Sequence, residues 1–387
     1  MARLDHIGIA VDGVDAVVER FRDLLDVTPY KREAVLEQQV RTHFLDVDTA
    51  KLELLEALGE DSPVQRFLDR QGEGLHHVAF EVDDLSDTME RLREAGFDLL
   101  SDDPQPGADD KQIAFVHPKQ THGVLVEFCA SATPEWPARS VPRHDGSLSV
   151  FERGTPDRPT VLVLHGAAGT TLHETAPLIR RLEPSFHVLG VDLSGHGASA
   201  GPSSEGVSLS LFADDARAVL DAYALSSAHV FGFSLGGGAA LHLAHTHPER
   251  VDRLAVFQTN AHWTDDQAHR MQRRLDLDAL RDRAPARADR LQARHIAPER
   301  LVEHLRSFVE TLPDASARLG DALPNLAAPT LVAALDRDPL FGLDASQALH
   351  RALPNARLAV LPGDTHSLPR APLRLLAPLL TRHFLEE

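Results

Sequence analysis

Two histidines and two glutamates recur at matched places in the first third of this chain. His6 lies in Leu4-Asp5-His6-Ile7-Gly8-Ile9-Ala10-Val11, and His77 in Leu75-His76-His77-Val78-Ala79-Phe80-Glu81-Val82. The offset of 71 residues (77 − 6) persists downstream, where Glu19-Arg20-Phe21-Arg22 returns as Glu90-Arg91-Leu92-Arg93. Each copy closes on an apolar run holding one glutamate, Lys51-Leu52-Glu53-Leu54-Leu55 and Val124-Leu125-Val126-Glu127-Phe128. A duplicated module with one imidazole and one carboxylate per copy predicts a two-fold-related set of His6, Glu53, His77 and Glu127. Two neutral nitrogen and two anionic oxygen donors suit a divalent ion. Two octahedral positions are left for substrate oxygens, which fits Mn, Co, Ni or Fe, with Zn a further option. Side chains alternate along a strand, so His76 and His77 should face opposite sides; the repeat selects His77 and leaves His76 to packing or to supporting the ligands from behind.

A second constellation lies far downstream. Ala228-His229-Val230-Phe231-Gly232-Phe233-Ser234-Leu235-Gly236-Gly237, followed by an Ala/Leu-rich helix, is a nucleophile elbow, whose glycines allow the sharp turn that exposes the Ser234 hydroxyl. His165-Gly166-Ala167-Ala168-Gly169 follows an apolar strand, and the Ala167 N–H with that of Leu235 would form an oxyanion hole. Leu331-Val332-Ala333-Ala334-Leu335-Asp336-Arg337-Asp338 ends a strand in acids, and Pro362-Gly363-Asp364-Thr365-His366 ends the next in a histidine. Nucleophile, acid and histidine thus occur in an order that acyl-transfer chemistry uses.

The elements that must position these groups fall into two textures. Residues 1–131 form the duplicated unit, each half reading strand, helix, then short strands, with Ser62 and Pro63 opening a short helix between the halves. Residues 132–143 hold three prolines and no periodicity, the mark of a linker. From 144 to 387 short apolar runs (160–164, 187–191, 228–233, 254–258, 330–334 and 357–361) alternate with helical patterns, as in a parallel sheet wound with helices. Charged helical segments at about 261–322 interrupt the alternation and read as a cap. The fold class expected is therefore α+β in the first part and a doubly wound α/β sheet in the second.

Composition narrows the functions. With 39 basic against 58 acidic residues, the chain lacks the broad positive surface that nucleic acids or anionic membranes require. The N-terminus enters a strand pattern at once and no apolar run nears the roughly 20 residues of a membrane span, so a cytoplasmic protein is expected. The single cysteine, Cys129, excludes an internal disulfide and reads as a buried thiol. All four lysines, Lys31, Lys51, Lys111 and Lys119, fall in the first third. That segregation is either chance in so small a sample or a sign that some meet the phosphates of an anionic ligand.

The first 130 residues resemble the vicinal oxygen chelate (glyoxalase) superfamily, and within it the methylmalonyl-CoA epimerases. The likeness rests on Leu4–Val11, Glu53-Leu54-Leu55 with Asp61-Ser62-Pro63, Gly74-Leu75-His76-His77, and His117-Pro118-Lys119 before Gly123–Glu127. It implies paired βαβββ modules cupped around the metal, often in a homodimer, and an acyl-CoA substrate near Lys119. Epimerisation needs an acid/base group on each face of the reacting carbon, and Glu127 is one candidate. The position where some members hold a second carboxylate is Thr42 here, with His43 and Glu37 as substitutes. Residues 145–387 resemble the α/β-hydrolase fold, which implies a Ser234–His366–Asp338 triad; the later of the two aspartates is the one favoured, and Asp336 its neighbour. The loop Asp192–Gly197 resembles one whose histidine, here His196, is structural.

These readings combine into a bifunctional enzyme, an epimerase of methylmalonyl-CoA or a related thioester joined to an esterase or acyl-CoA thioesterase. Competing readings are a glyoxalase I-like isomerase with a thioester hydrolase, a ring-cleaving dioxygenase with a C–C hydrolase, and a cup that only sequesters a ligand. The symmetric two-and-two ligand set disfavours the dioxygenase, which wants two histidines and one carboxylate.

Overall fold

The computed structural model of the chain describes residues 3–47, 50–82, 85–109, 111–131, 136–202, 206–283 and 285–386. It divides into two compact units, Met1–Ala132 and Thr133–Glu387.

The first unit runs β1 (Arg3–Ala10), α1 (Val14–Leu25), β2 (Pro29–Val35), β3 (Val40–Val47), β4 (Ala50–Ala57), α2 (Pro63–Gln71), β5 (Gly74–Glu81), α3 (Leu85–Glu94), β6 (Gln105–Pro106), β7 (Lys111–Val116) and β8 (Leu125–Ser131). These are two βαβββ modules, with α2 between them. Their strands make one eight-stranded sheet in the order β2-β3-β4-β1-β5-β8-β7-β6, joined at its centre by the antiparallel pair β1–β5. In each half the first strand also pairs in parallel with the last, β1 with β4 and β5 with β8. The polar alternation of the strands leaves one face for helix packing: Val14 on α1 meets Val11, Leu45 and Leu54, and Met89 and Leu85 on α3 meet Val82 and Ala114. Ser62 caps α2 as its sequence predicts, its Oγ accepting the Val64 N–H at 3.2 Å.

Two irregularities interrupt the central pair. Leu4 pairs with Phe80 and His6 with Ala79, so Asp5 is skipped; Gly8 pairs with His77 and Ile9 with Leu75, so His76 is skipped. Each is a β-bulge, one extra residue that re-aims its neighbour. Asp5 and His76 are 71 residues apart, the same offset as His6 and His77.

The second unit runs β9 (Ala138–Arg143), β10 (Gly146–Arg153), β11 (Thr160–Leu164), α4 (Ala176–Leu182), β12 (His187–Val191), α5 (Leu209–Ala222), β13 (Ala228–Phe233), α6 (Leu235–Thr246), β14 (Val251–Phe257), α7 (Asp265–Arg274), α8 (Leu277–Arg283), α9 (Pro285–Arg294), α10 (Pro298–Ala322), β15 (Thr330–Leu335), α11 (Gly342–Ala352), β16 (Ala356–Leu361) and α12 (Leu373–Leu385). Its sheet order is β16-β15-β14-β13-β11-β12-β10-β9, parallel from β16 to β12 and antiparallel at the β10–β9 edge. The strands at the centre are buried on both faces, which is why they read as continuous apolar runs. Apolar residues of α5, α6 and α11 cover one face, those of α4 and α12 the other. Helices α7 to α10 fill the stretch 265–322. The stretch expected to be a linker, 132–143, differs from expectation. Residues 132–135 lie outside the described residues, while 138–143 form β9, where Pro142 is tolerated because the strand is an edge. Among the described residues no helix is long and apolar enough to cross a membrane.

Candidate functional site

The four residues selected by the repeat converge in the cup of the first unit. His6 Nε2 lies 2.9 Å from His77 Nε2 and 3.0 Å from Glu53 Oε2. His77 Nε2 lies 3.4 Å from Glu53 Oε2 and 3.5 Å from Glu127 Oε2. All four side chains are buried, and one donor atom each from His6, His77 and Glu127 fall within 4.8 Å of one another. The backbone makes room for this: a Cβ on Gly8 would stand 2.3 Å from the His77 ring. The partners on Nδ1 decide what Nε2 carries. Asp5 Oδ2 takes the His6 Nδ1–H at 2.8 Å, leaving a bare lone pair on Nε2. His77 Nδ1 lies 3.0 Å from His76 Nδ1 and can donate to it, which bares its Nε2 too.

Lone pairs of two imidazoles and two carboxylates therefore face one point, an arrangement a cation satisfies. Two nitrogens bound at right angles to one ion, each about 2.1 Å away, would stand about 3 Å apart, and the observed 2.9 Å separation fits. Burial opposes charge on His6, yet the Asp5 and Glu53 carboxylates lift its pKa to about 10, so a cation binding at Nε2 displaces a proton from it. Glu53 is raised by burial but brought down to about 2 by His6 and His77, whereas burial pushes Glu127 upward.

His76 corrects the expectation of opposite faces. The bulge turns it to the same side as His77, and both line the cavity above the four ligands. That cavity has a volume of about 640 Å³. Thr42 lines it too and is buried, while Glu37 lines it from an exposed position. His43 does not: it faces the other side of β3, in a groove with Arg32 and Arg41, and both its ring nitrogens lack partners among the described residues. Facing away from the cavity, it is no substitute for a second carboxylate there.

Three of the lysines sit against acids of the chain. Lys111 Nζ, buried, lies 2.5 Å from Asp5 Oδ1 and 3.4 Å from Glu81. Lys51 lies 2.7 Å from Asp109, and Lys31 2.9 Å from Glu33, both partly exposed. Lys111 keeps its charge at that depth only with a carboxylate beside it, and all three neutralise acids of the cup. Lys119 is exposed on the turn Pro118–Gln120 and does not line the cavity, whereas Arg66 and Arg70 of α2 do. Cys129 is buried and its thiol is pushed up by burial, as an inert packing group.

In the second unit Ser234 sits between β13 and α6 with φ 51° and ψ −113°, a strained backbone for a residue with a side chain. Gly236 allows the turn, because a Cβ there would come 2.4 Å from the Leu164 carbonyl oxygen. Ser234 Oγ is 2.9 Å from His366 Nε2, and His366 Nδ1 is 2.9 Å from Asp338 Oδ2. Asp336 instead accepts the Gly363 N–H at 2.7 Å, and Asp364 is exposed. Three of the four N–H groups from Gly166 to Gly169 are engaged, with Glu174, His196 Nε2 and the Gly166 carbonyl. Those of Ala167 and Leu235 have no acceptor among the described residues, and both residues line the pocket at Ser234. His196 is thus a brace for this loop, as expected.

Two groups with no signal in the sequence complete the site. His295, which follows α9, accepts the Gly197 N–H on Nδ1 at 2.8 Å and donates from Nε2 to the Ala168 carbonyl at 3.2 Å. A cap residue therefore ties down the loop that carries Ala167. Glu174 holds the Gly166 N–H at 2.5 Å, and burial raises its carboxyl to about 7.

Both folds have relatives. Residues 5–115 match the Glyoxalase/Bleomycin resistance protein/Dioxygenase superfamily, and residues 159–314 match the alpha/beta hydrolase fold. The ethylmalonyl-CoA/methylmalonyl-CoA epimerase of Cereibacter sphaeroides is 36% identical over 130 residues, 33% of this chain and 97% of that protein. The putative carbamate hydrolase RutD of Caulobacter is 31% identical over 233 residues, 54% of this chain and 84% of that one. A hydrolase structure from Pseudomonas aeruginosa superposes with a TM-score of 0.55 at 24% identity, covering 65% of this chain and all of that one, and shows the fold. The class is an enzyme that joins an isomerase-type unit to a hydrolase unit. The chain belongs to the methylmalonyl-CoA epimerase family of the glyoxalase superfamily through its first unit and to the α/β-hydrolase family through its second.

Proposed function

We propose that the first unit is a metal-dependent epimerase of methylmalonyl-CoA or a related acyl-CoA thioester, and that the second is a serine hydrolase of esters or thioesters. The observation that carries the first half is the convergence of two imidazoles and two carboxylates under a cavity large enough for an acyl group and its thioester. His6, Glu53, His77 and Glu127 would hold a divalent ion there. When bound, it would act as a Lewis acid that acidifies the carbon between two carbonyl groups.

The chain's own residues do the rest. Glu127, pushed upward by burial while His6 and His77 bring the equally buried Glu53 down, is suited to take the α-proton and return it. Return on the opposite face requires another group. Thr42 cannot serve at neutral pH, and Asp5, Asp109, Lys51 and Lys111 are bound into ion pairs. Glu37 and His76, both on the cavity wall, remain for that task. Arg66 and Arg70 supply positive charge at the same wall for the anionic end of a CoA ester. A homodimer, as in the resemblance, is compatible with this cup.

In the second unit Ser234 Oγ attacks the acyl carbon while its proton passes to His366 Nε2, and Asp338 fixes the imidazole with Nδ1 protonated. The Ala167 and Leu235 N–H groups stabilise the oxygen that gains charge. The proton then goes to the leaving oxygen or sulfur, and water releases the acyl group from Ser234. The epimerase reading is tested by incubating metal-loaded protein with methylmalonyl-CoA in heavy water. Deuterium at the α-carbon, read by mass spectrometry, is expected. Its absence, with turnover of the methylglyoxal–glutathione adduct instead, would favour the glyoxalase I-like reading.

A further inference from the structure

The pocket at Ser234 has almost no polar wall. Met271 on α7 and Leu305, Phe308, Val309, Leu312 and Leu319 on α10 close its cap side, all of them buried. Among the described residues that line it, none is a lysine, arginine or histidine, and the side chains with a polar atom are Ser234, Asn260 and Trp263. Ser234 and Asn260 are already engaged. Ser234 faces His366, while Asn260 donates from Nδ2 to Gln267 Oε1 at 3.0 Å and accepts the His262 N–H on Oδ1 at 3.0 Å. The cavity holds about 30 Å³, against about 640 Å³ in the cup of the first unit.

We propose that this pocket is the acyl subsite of the hydrolase and admits short, uncharged acyl groups while excluding those that end in a carboxylate. The proposal rests on the serine-hydrolase reading above and specifies its substrate class. A volume of this size holds about one or two waters, so a chain of roughly two to four carbons enters only as the Met271 and leucine side chains move aside, and a longer one would need larger shifts. An apolar chain gains by leaving water for such walls. A carboxylate would exchange its hydration for leucine and phenylalanine with no cation among the lining residues and with the Ala167 and Leu235 N–H groups taken by the acyl oxygen, a transfer that costs far more than the chain gains. The two units therefore take acyl groups of opposite character. The malonyl-type group suited to the cup is not a substrate of the hydrolase, so the fusion does not destroy what its first unit makes.

The test uses the full chain and two fluorophosphonates that differ only in their tail, n-butyl against 3-carboxypropyl. Ser234 Oγ forms the bond to phosphorus, fluoride leaves, and the hydroxyl proton passes to His366. The butyl reagent should react at least ~100-fold faster, with the same preference for butyryl over succinyl esters in kcat/KM. Leu312→Lys should narrow the ratio, and Phe308→Ala should shift the best neutral ester to a longer chain. Equal rates, or a faster anionic reagent, overturn the proposal while leaving Ser234 a nucleophile. So does a folded Phe308→Ala protein with an unchanged chain-length optimum. If Ser234 reacts with neither reagent in folded protein, the hydrolase reading itself fails and the subsite with it.

Discussion

Asp5 and His76 occupy equivalent places in the two modules, and each is the bulged residue that leans on Nδ1 of the histidine after it, at 2.8 Å and 3.0 Å. The geometry repeats while the chemistry differs. Asp5 is an anion held by Lys111, well below the usual carboxylate range despite its burial, whereas burial and the neighbouring His77 lower His76 to about 4 and keep it neutral. Removing a ligand should matter most, and removing the anion should matter more than removing its neutral counterpart. His77→Ala should abolish most bound metal, Asp5→Asn should weaken binding by about 10- to 100-fold, and His76→Ala by less than about tenfold. Metal content after dialysis, with competition by a chelator, measures all three. Equal losses for His76→Ala and His77→Ala would show that the assignment of ligands is wrong.

The serine site makes a sharper demand, because its members act as a unit. Ser234→Ala and His366→Ala should each lower ester turnover by about 10⁴-fold, and Asp338→Asn should be comparably severe through the wrong imidazole tautomer. Asp336→Asn should cost only a few-fold, roughly, since that side chain holds the Gly363 N–H and not the imidazole. A reversed order between the two aspartates would reassign the acid.

His295 should set the position of the oxyanion loop from the cap. His295→Ala removes both of its backbone hydrogen bonds and should lower kcat about tenfold with a smaller change in KM. His295→Gln, which restores a donor toward the Ala168 carbonyl, should recover more kcat than His295→Ala. Wild-type kcat in His295→Ala would rule the clamp out.

Glu174 predicts a pH effect on stability. Its pKa is raised from an ordinary 4.5 to about 7 in the fold, chiefly by burial. The folded protein therefore binds the proton more tightly than the unfolded chain. This contribution is complete below about pH 4.5 and is lost as pH rises through 7, by about 2 kcal/mol once partial exposure is allowed for. Both tryptophans, Trp136 and Trp263, lie in the second unit, so fluorescence-detected urea unfolding at pH 5 and pH 8 reads that unit directly. Glu174→Gln should flatten the dependence. An unchanged slope would place its source elsewhere, with Asp192 and Asp215, both raised to about 6, as the next groups to substitute.

Much of the architecture was legible because it follows from period and repeat. The runs at 160–164, 187–191 and 228–233 are strands, Ser62 is a cap, and the 71-residue offset brings His6, Glu53, His77 and Glu127 to one point. What escaped depends on local register or on contacts distant in sequence. Strict alternation sent His76 to the wrong face because a bulge leaves no mark in residue type. The lysines leave chance and ligand phosphates both open in sequence because their partners Asp5, Asp109 and Glu81 come together only through strand pairing. His295 lies in a charged helical stretch like any other, and only the folded cap brings it to Ala168.

The unequal bulges make the two halves of the cup electrically unlike. Asp5 and Lys111 stand behind one imidazole and neutral His76 behind the other, so His6 and His77 hold matched positions in unmatched fields. If the proposed chelate forms, its two ends would meet different surroundings, and a substrate with unlike ends would have one preferred way round. Duplication repeated the framework, and divergence at one repeated position gave it a direction.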